Sequence, residues 1–295
     1  MICVPDALRW WSRVPGGAEW LERLPRLAAE LAEEWRLTLG PPLGAHISLV
    51  LEATRAGGEP AVLKLNFPEP ESAHEADALA LWDGNGAARL LEQDPTRRAL
   101  LVERLTPGTQ LWKVDDEDEA NRAAAAVLRA LAVPPPEAHP FRPLADEAAR
   151  WAVELPERWH RFGVTTPRRV LEEALAAVEQ LLADPPAAVV LHQDLHGGNV
   201  LRAGESWRAI DPKPLVGDPA FDAASLLRDR RDGLVSDPGA ARRVRRRLDL
   251  LASELGHDRE RMRLWALVHA LAWGVEEDGV LDEMLVAAEL LVRAR

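Results

Sequence analysis

The chain has little cysteine, little lysine and no long apolar run, and each shortage closes off a class of protein. A single cysteine, Cys3, has no partner for an internal disulfide, so a disulfide-stapled scaffold is excluded. No apolar stretch approaches the roughly 18 to 20 residues that a membrane-crossing helix requires. Residues 1–15 hold no basic segment followed by an apolar one, which leads to the expectation of a cytoplasmic protein. Positive charge is not in excess either: 48 acidic residues face 36 Lys and Arg, for a formal net charge of -12, a balance poorly suited to nucleic acid. The one basic cluster, Arg242 to Arg247, falls in a helical pattern with Val244, Leu248, Leu250 and Leu251 and reads as a solvated helix face. Internal repeats and long low-complexity linkers are absent as well.

What is present is concentrated in one stretch, Leu191-His192-Gln193-Asp194-Leu195-His196-Gly197-Gly198-Asn199-Val200-Leu201, followed by Ala209-Ile210-Asp211-Pro212-Lys213. Phosphoryl transfer from a nucleotide needs one side chain to orient the acceptor hydroxyl and take its proton, and others to hold the metal that neutralises the phosphates. Asp194, Asn199 and Asp211 are the candidates. Asp194 and Asn199 fall on one short loop after the apolar strand 188–191, with Gly197-Gly198 allowing a tight turn between them. Asp211 ends a second strand, 207–210, which a hairpin brings back beside the loop. His-x-Asp, a correctly spaced Asn and a later apolar-Asp turn match the kinase signature set. Two other readings compete: a surface loop whose polar residues cap turns, and a metal hydrolase using His192, Asp194 and His196, for which no second ligand cluster is visible.

A kinase also needs a phosphate-contacting lysine on a strand, a glutamate on the next helix to hold it, and a glycine-bearing loop upstream. The alternating segment Pro60 to Leu65 carries Lys64, one of only three lysines beside Lys113 and Lys213. Where arginine is the default cation, a strand lysine suggests a need for a compact point charge, although a solvated edge-strand lysine reads similarly. The following segment, Pro70 to Trp82, predicts a helix in which Glu75 is the best partner for Lys64 and Glu71 the runner-up. Gly40 and Gly44 precede a strand and stand where a phosphate-covering loop would lie, in a pattern shorter than Gly-x-Gly-x-x-Gly.

These residues together resemble the aminoglycoside phosphotransferase family, and within it most closely the streptomycin 6-kinase and hydroxyurea phosphotransferase branch. The resemblance runs through Ala61-Val62-Leu63-Lys64-Leu65, His74-Glu75-Ala76-Asp77, Leu101-Val102-Glu103-Arg104-Leu105, the catalytic loop, and Ile210-Asp211-Pro212-Lys213-Pro214 to Asp222. Gln193 departs from it, standing where such loops usually have glycine. The resemblance implies an α+β, two-lobed protein-kinase-like fold: residues 1–103 as a small antiparallel-sheet lobe with a leading helix, and residues 104–295 as a mainly helical lobe. It also implies ATP and Mg²⁺ as cofactors, Asp194 as catalytic base, Asn199 and Asp211 as metal ligands, Lys64 at the phosphates with Glu75 orienting it, and backbone groups of Glu103 and Leu105 at adenine.

The implied acceptor is a small hydroxylated molecule such as an aminoglycoside, and the acidic balance suits a cationic one. Carboxylates and aromatic faces would recognise it, which makes Trp273, Glu276 and Glu277 weak substrate candidates and Asp115 to Glu119 beside Trp112 a second possibility. Helix packing for the tryptophans and solvated helix ends for the acids explain the same residues. Lys213 reads either as a contact for the transferred phosphate or as a structural ion pair. Asp222 reads as a helix cap or as a buried brace for the catalytic loop. Nothing in the sequence assigns an oligomeric state.

Overall fold

The structure is a computed structural model describing residues 2–44, 47–229, 231–277 and 279–295. A 3-10 segment, Asp6–Arg13, and helix α1 (Gly17–Glu34) precede five strands: β1 (Leu37–Pro42), β2 (Leu49–Arg55), β3 (Pro60–Leu65), β4 (Leu90–Asp94) and β5 (Ala99–Glu103). They form one antiparallel sheet in the order β1-β2-β3-β5-β4. Because side chains alternate along a strand, Leu49, Leu51 and Ala53 of β2 share a face with Ala61, Leu63 and Leu65 of β3 and with Ala99 and Leu101 of β5. That face buries against Leu24, Ala28 and Leu31, spaced four and three apart on α1, and against Leu8 and Trp11. Lys64 belongs to the opposite face, in register with Val50 and Leu100. Alternation therefore aims the lysine away from the α1 core.

Helix α2 (Glu75–Trp82) lies between β3 and β4 and is shorter than the sequence predicts. Residues 71–74 are turns, so Glu75 opens the helix instead of lying inside it. The segment is diverted because Glu71 reaches across to Lys213 (3.2 Å) while Glu75 turns inward to Lys64. Ala78, Leu79 and Trp82 pack with the core of the second lobe, and the Trp82 indole donates to the Leu131 carbonyl at 2.9 Å.

Beyond Glu103 the chain runs through β6 (Pro107–Gln110), α3 (Glu117–Leu131), β7 (Arg142–Pro143), α4 (Leu144–Arg161), α5 (Arg168–Ala183) and β8 (Val189–Leu191). There follow the hairpin β9 (Val200–Ala203) and β10 (Ser206–Ala209), then β11 (Leu215–Gly217) and the helices α6 (Ala224–Leu227), α7 (Arg231–Ser236), α8 (Ala240–Leu255), α9 (Arg259–Ala272) and α10 (Asp282–Val292). Helix α9 is the axis of this lobe, buried from Met262 through Ala272 between α5, α6 and α10. β9 pairs with both β10 and β6, while β11 lies between β7 and β8.

The solvated-face expectation for Arg242 to Arg247 holds at Arg242, Arg245 and Arg246, which are exposed, and fails at Arg247. Arg247 is not on a solvated face but buried, donating to Glu117 and to the carbonyls of Leu226, Leu227 and Asp229. The acidic run before α3 supplies its partners. Asp116 caps the helix by accepting from the amides of Asp118 and Glu119, Glu117 holds Arg247, and Asp118 pairs with Arg246 at 2.6 Å. A buried guanidinium needs a carboxylate and spare carbonyls; α3 supplies the first through Glu117, and the end of α6 with Asp229 supplies the second.

Candidate active site

On the cleft face of β3, Lys64 donates to both oxygens of Glu75, at 2.6 and 2.7 Å, and also to Asp211. Glu75 accepts in addition from the Asn66 amide (2.7 Å), and Asn66 in turn accepts from the Ser48 hydroxyl (2.6 Å). Asn66 lies two residues after Lys64, on the same side of the extended chain. Burial works against the Lys64 ammonium, but Asp211 and Glu75 outweigh it and hold the lysine above its ordinary value. Burial likewise raises Glu75, whereas the Lys64 ammonium overcomes desolvation at Asp211 and keeps that carboxylate below its ordinary value. The lysine is thus held in its charged form and fixed between two carboxylates.

The catalytic loop leaves β8 at Leu191 and is anchored from below. Asp222 accepts the amide of His192 at 2.7 Å and that of Gln193 at 2.8 Å, so the buried-brace reading holds and the helix-cap reading fails. Burial drives His192 down to about 4, leaving it neutral, and its Nε2 donates to the Ile210 carbonyl at 3.0 Å. Gln193 has φ 68, in the left-handed region that favours glycine, which gives physical content to its departure from the glycine usual in such loops. The Ser225 hydroxyl, donating to the Gln193 carbonyl at 3.1 Å, and Asp222 together hold this conformation.

Asp222 yields a pH test. Burial lifts it from 3.8 to about 6, the two amides only partly opposing. A carboxyl group raised by folding contributes stability that is complete below its unfolded value and lost as pH rises through the folded one. In chemical denaturation, the stability of the wild type relative to Asp222→Asn should therefore fall by something on the order of 2 to 3 kcal/mol between pH 4 and pH 7. A pH-independent difference would refute the assignment.

Asn199 closes the loop by donating from Nδ2 to the Asp194 carbonyl (3.0 Å), a bond that does not engage its amide oxygen. The hairpin of β9 and β10 then returns the chain, and the Ile210 amide donates to the Asn199 carbonyl at 2.9 Å, setting Asp211 beside Asn199. Asp194, Asn199, Asp211, Lys64 and Glu75 thereby converge on one cleft. Among the described residues no group of three or more His, Cys, Asp or Glu side chains is arranged to hold a metal ion, so the hydrolase reading of His192, Asp194 and His196 finds no support. One carboxylate and one amide oxygen instead suit Mg²⁺, which completes its shell with water and phosphate oxygens.

A sequence profile of the family described as aminoglycoside/hydroxyurea antibiotic resistance kinase matches residues 35–279. The chain belongs to this family. It is 39% identical to a streptomycin 6-kinase of Streptomyces glaucescens, covering 94% of this chain and 92% of the relative. It is 41% identical to a hydroxyurea phosphotransferase of Kitasatospora aureofaciens, over 94% and 82% of the respective chains. Among solved structures, a thermostable mutant of aminoglycoside phosphotransferase APH(4)-Ia, in ternary complex with ADP and hygromycin B, superposes with a TM-score of 0.61 over 90% of this chain and 97% of that one. At 18% identity the likeness shows the fold alone, and it is the two-lobed kinase-like fold that the sequence led us to expect.

The remaining sequence candidates of this antibiotic resistance kinase family member have varied surroundings. Gly40 lies within β1, where a Cβ would stand 2.9 Å from that of Glu52, so close strand pairing accounts for it. Gly44 follows in the turn, and residues 45 and 46 of the proposed phosphate loop lie outside the described residues. The Glu103 amide is taken by the Arg89 carbonyl at 2.9 Å. Gly197 and Gly198 do form the expected tight turn, closed by the Asn199 amide donating to the His196 carbonyl at 2.8 Å, but neither has a positive φ; a Cβ on either would come within 2.6 to 2.7 Å of the Trp112 ring, so close approach is what requires glycine there.

Trp273, at the end of α9, is flanked by the Lys213 ammonium and the Arg228 guanidinium, each 4.9 Å from its ring. Arg228 is buried and reaches Asp194 at 3.6 Å, a neighbour no sequence signal marked. Glu277 is exposed and meets Arg158 at 3.5 Å, while the Glu276 amide donates to the Gly279 carbonyl at 3.0 Å. Lys213 takes the ion-pair role with Glu71; burial lowers it, but Glu71, Asp194 and Asp211 together raise it above its ordinary value.

Proposed function

We propose that this protein is an ATP- and Mg²⁺-dependent kinase that transfers the γ-phosphoryl group to a hydroxyl of an aminoglycoside-type antibiotic such as streptomycin. The observation that carries the reading is the convergence of Asp194, Asn199 and Asp211 opposite the Lys64–Glu75 pair, in a chain of this family. Residues 1–103 form the nucleotide lobe, with Lys64 at the phosphates and the backbone of Leu105 at adenine; residues 104–295 carry the catalytic loop and the acceptor. Asn199 and Asp211 hold the Mg²⁺, which supplies neutralisation of phosphate charge when bound. Asp194 orients the acceptor hydroxyl and takes its proton as the new oxygen–phosphorus bond forms and the bond to the departing ADP breaks. Positioning and electrostatics carry the rate, because the protein forms no covalent bond of its own. The cytoplasm, where ATP is available, is the fitting compartment.

A second reading, transfer to a small neutral hydroxyl compound such as hydroxyurea, is favoured by one observation. Lys213 and Arg228 stand on either side of Trp273 near Asp194, and two fixed cations disfavour a polycation there. An ADP-release assay with streptomycin, other amino sugars, hydroxyurea, amino alcohols and sugars separates the two. Streptomycin should raise turnover at least about tenfold over Mg-ATP alone, as expected when acceptor binding aligns the reacting groups. Stimulation by hydroxyurea alone would establish the second reading, and no stimulation by any acceptor would sink both.

A further inference from the structure

Trp112 stands out because it is held from several sides and yet 43% exposed. It belongs to a short 3-10 turn, Leu111–Lys113, just beyond β6. Its indole Nε1 donates to Asp229 Oδ1 at 2.6 Å, and the other oxygen of that carboxylate accepts the Gly197 amide at 2.8 Å. Its own amide donates to the Gly197 carbonyl at 3.2 Å, and Gln110, two residues back, donates to the Gly198 carbonyl at 3.3 Å. The ring lies on the two glycines so closely that neither position has room for a Cβ. A surface tryptophan with no task beyond covering apolar area needs none of this.

The ring also lies parallel to His196, with centroids 4.9 Å apart and planes 9° from each other. His196 Nδ1 accepts the Gly198 amide at 3.0 Å, so the proton of a neutral ring sits on Nε2. Burial lowers His196 below its ordinary value, in keeping with a neutral ring. Nε2 points to the carboxylate of Asp194, 4.0 Å from Oδ2. The stack thus fixes the plane of an imidazole whose N–H faces the catalytic base.

We propose that Trp112 is a positioning residue of this kinase: clasped by Asp229, it sets the plane of His196 by stacking, holds the glycine pair whose Gly198 amide fixes that ring's tautomer and, through the ring, biases the orientation of the Asp194 carboxylate. The inference rests on the phosphotransferase reading for its kinetic consequence but not for its structural one. Two aromatic rings in parallel contact stabilise each other by about 0.5 to 1.5 kcal/mol, sufficient to favour one ring orientation several-fold. Misplacing a reacting group by about an ångström costs up to about a hundredfold in rate.

The test compares full-length wild type with Trp112→Phe, Trp112→Ala and Asp229→Asn, by ring-nitrogen NMR of the histidines and by steady-state kinetics. His196, assigned by its loss in His196→Asn, should show the Nε2–H tautomer in the wild type and in Trp112→Phe. In Trp112→Ala its ring signals should broaden or shift toward the mixed tautomers of a mobile imidazole. Turnover should fall at least about tenfold in Trp112→Ala and stay within about threefold in Trp112→Phe, with KM for Mg-ATP changed less than about twofold. Asp229→Asn keeps the ring and loosens the clasp; it should show the same signature more weakly, and it decides the matter if the alanine variant fails to fold. An unchanged His196 spectrum in Trp112→Ala would overturn the proposal whether or not any acceptor is phosphorylated. So would a rise in acceptor KM at constant turnover, which would make the ring part of the acceptor wall instead.

Discussion

Asp194→Asn should reduce turnover by at least about a hundredfold while leaving the fold and nucleotide affinity nearly intact. The substitution is close to isosteric, and the contact that binds Asn199 to this position uses the Asp194 backbone carbonyl, not its side chain. The loop below it is anchored by Asp222 through the amides of His192 and Gln193, which the change does not touch. What is lost is the carboxylate that takes the acceptor's proton in the proposed mechanism, and general-base catalysis typically contributes about 10² to 10⁴. Arg228, 3.6 Å from the carboxylate, would then face an uncharged amide, so a small loss of thermal stability accompanies the kinetic effect. Retained wild-type turnover with the best acceptor from the screen would remove Asp194 from its role.

Asp211→Ala should act on binding instead. Isothermal calorimetry of wild type should show nucleotide affinity rising with Mg²⁺; in the variant that dependence should largely vanish, with Mg-ATP bound at least about tenfold more weakly, because a carboxylate oxygen is the charged part of the inferred ligand set. Lys64 keeps both contacts to Glu75 at 2.6 and 2.7 Å, so its ammonium remains paired and the lobe should stay folded. A variant with the same metal dependence as wild type would show that Asp211 serves only as a partner for Lys64.

The elements that place the chemistry were legible because each obeys a short-range rule. Alternation along Pro60 to Leu65 aims Lys64 to the cleft, and the turn between β9 and β10 returns Asp211 to Asn199. Helix α3 begins one residue past its capping Asp116, a start that an Asp before an alanine-rich run announces. What escaped depends on contacts between distant segments. Ser48 and Asn66 join the Glu75 network across a strand pair, and neither residue type is unusual where it stands. Arg247 and Arg228 lie in sequence contexts indistinguishable from a solvated face, and their burial is made tolerable by groups from other elements: Glu117 and the carbonyls of Leu226, Leu227 and Asp229 for Arg247, and Asp194 and the His269 imidazole for Arg228. The glycine pair announced its turn but not its second cause, since its need for bare Cα atoms comes from Trp112, more than eighty residues upstream.

The contact between Lys64 and Asp211 has a consequence for how ligands enter. Lys64 also holds both oxygens of Glu75, so the two carboxylates that share the ammonium are unequal: drawing Asp211 aside leaves Lys64 paired. In the proposed mechanism a metal ion that recruits Asp211 would therefore release part of the lysine's charge toward a phosphate without setting the side chain loose, so that binding of one ligand would favour the other.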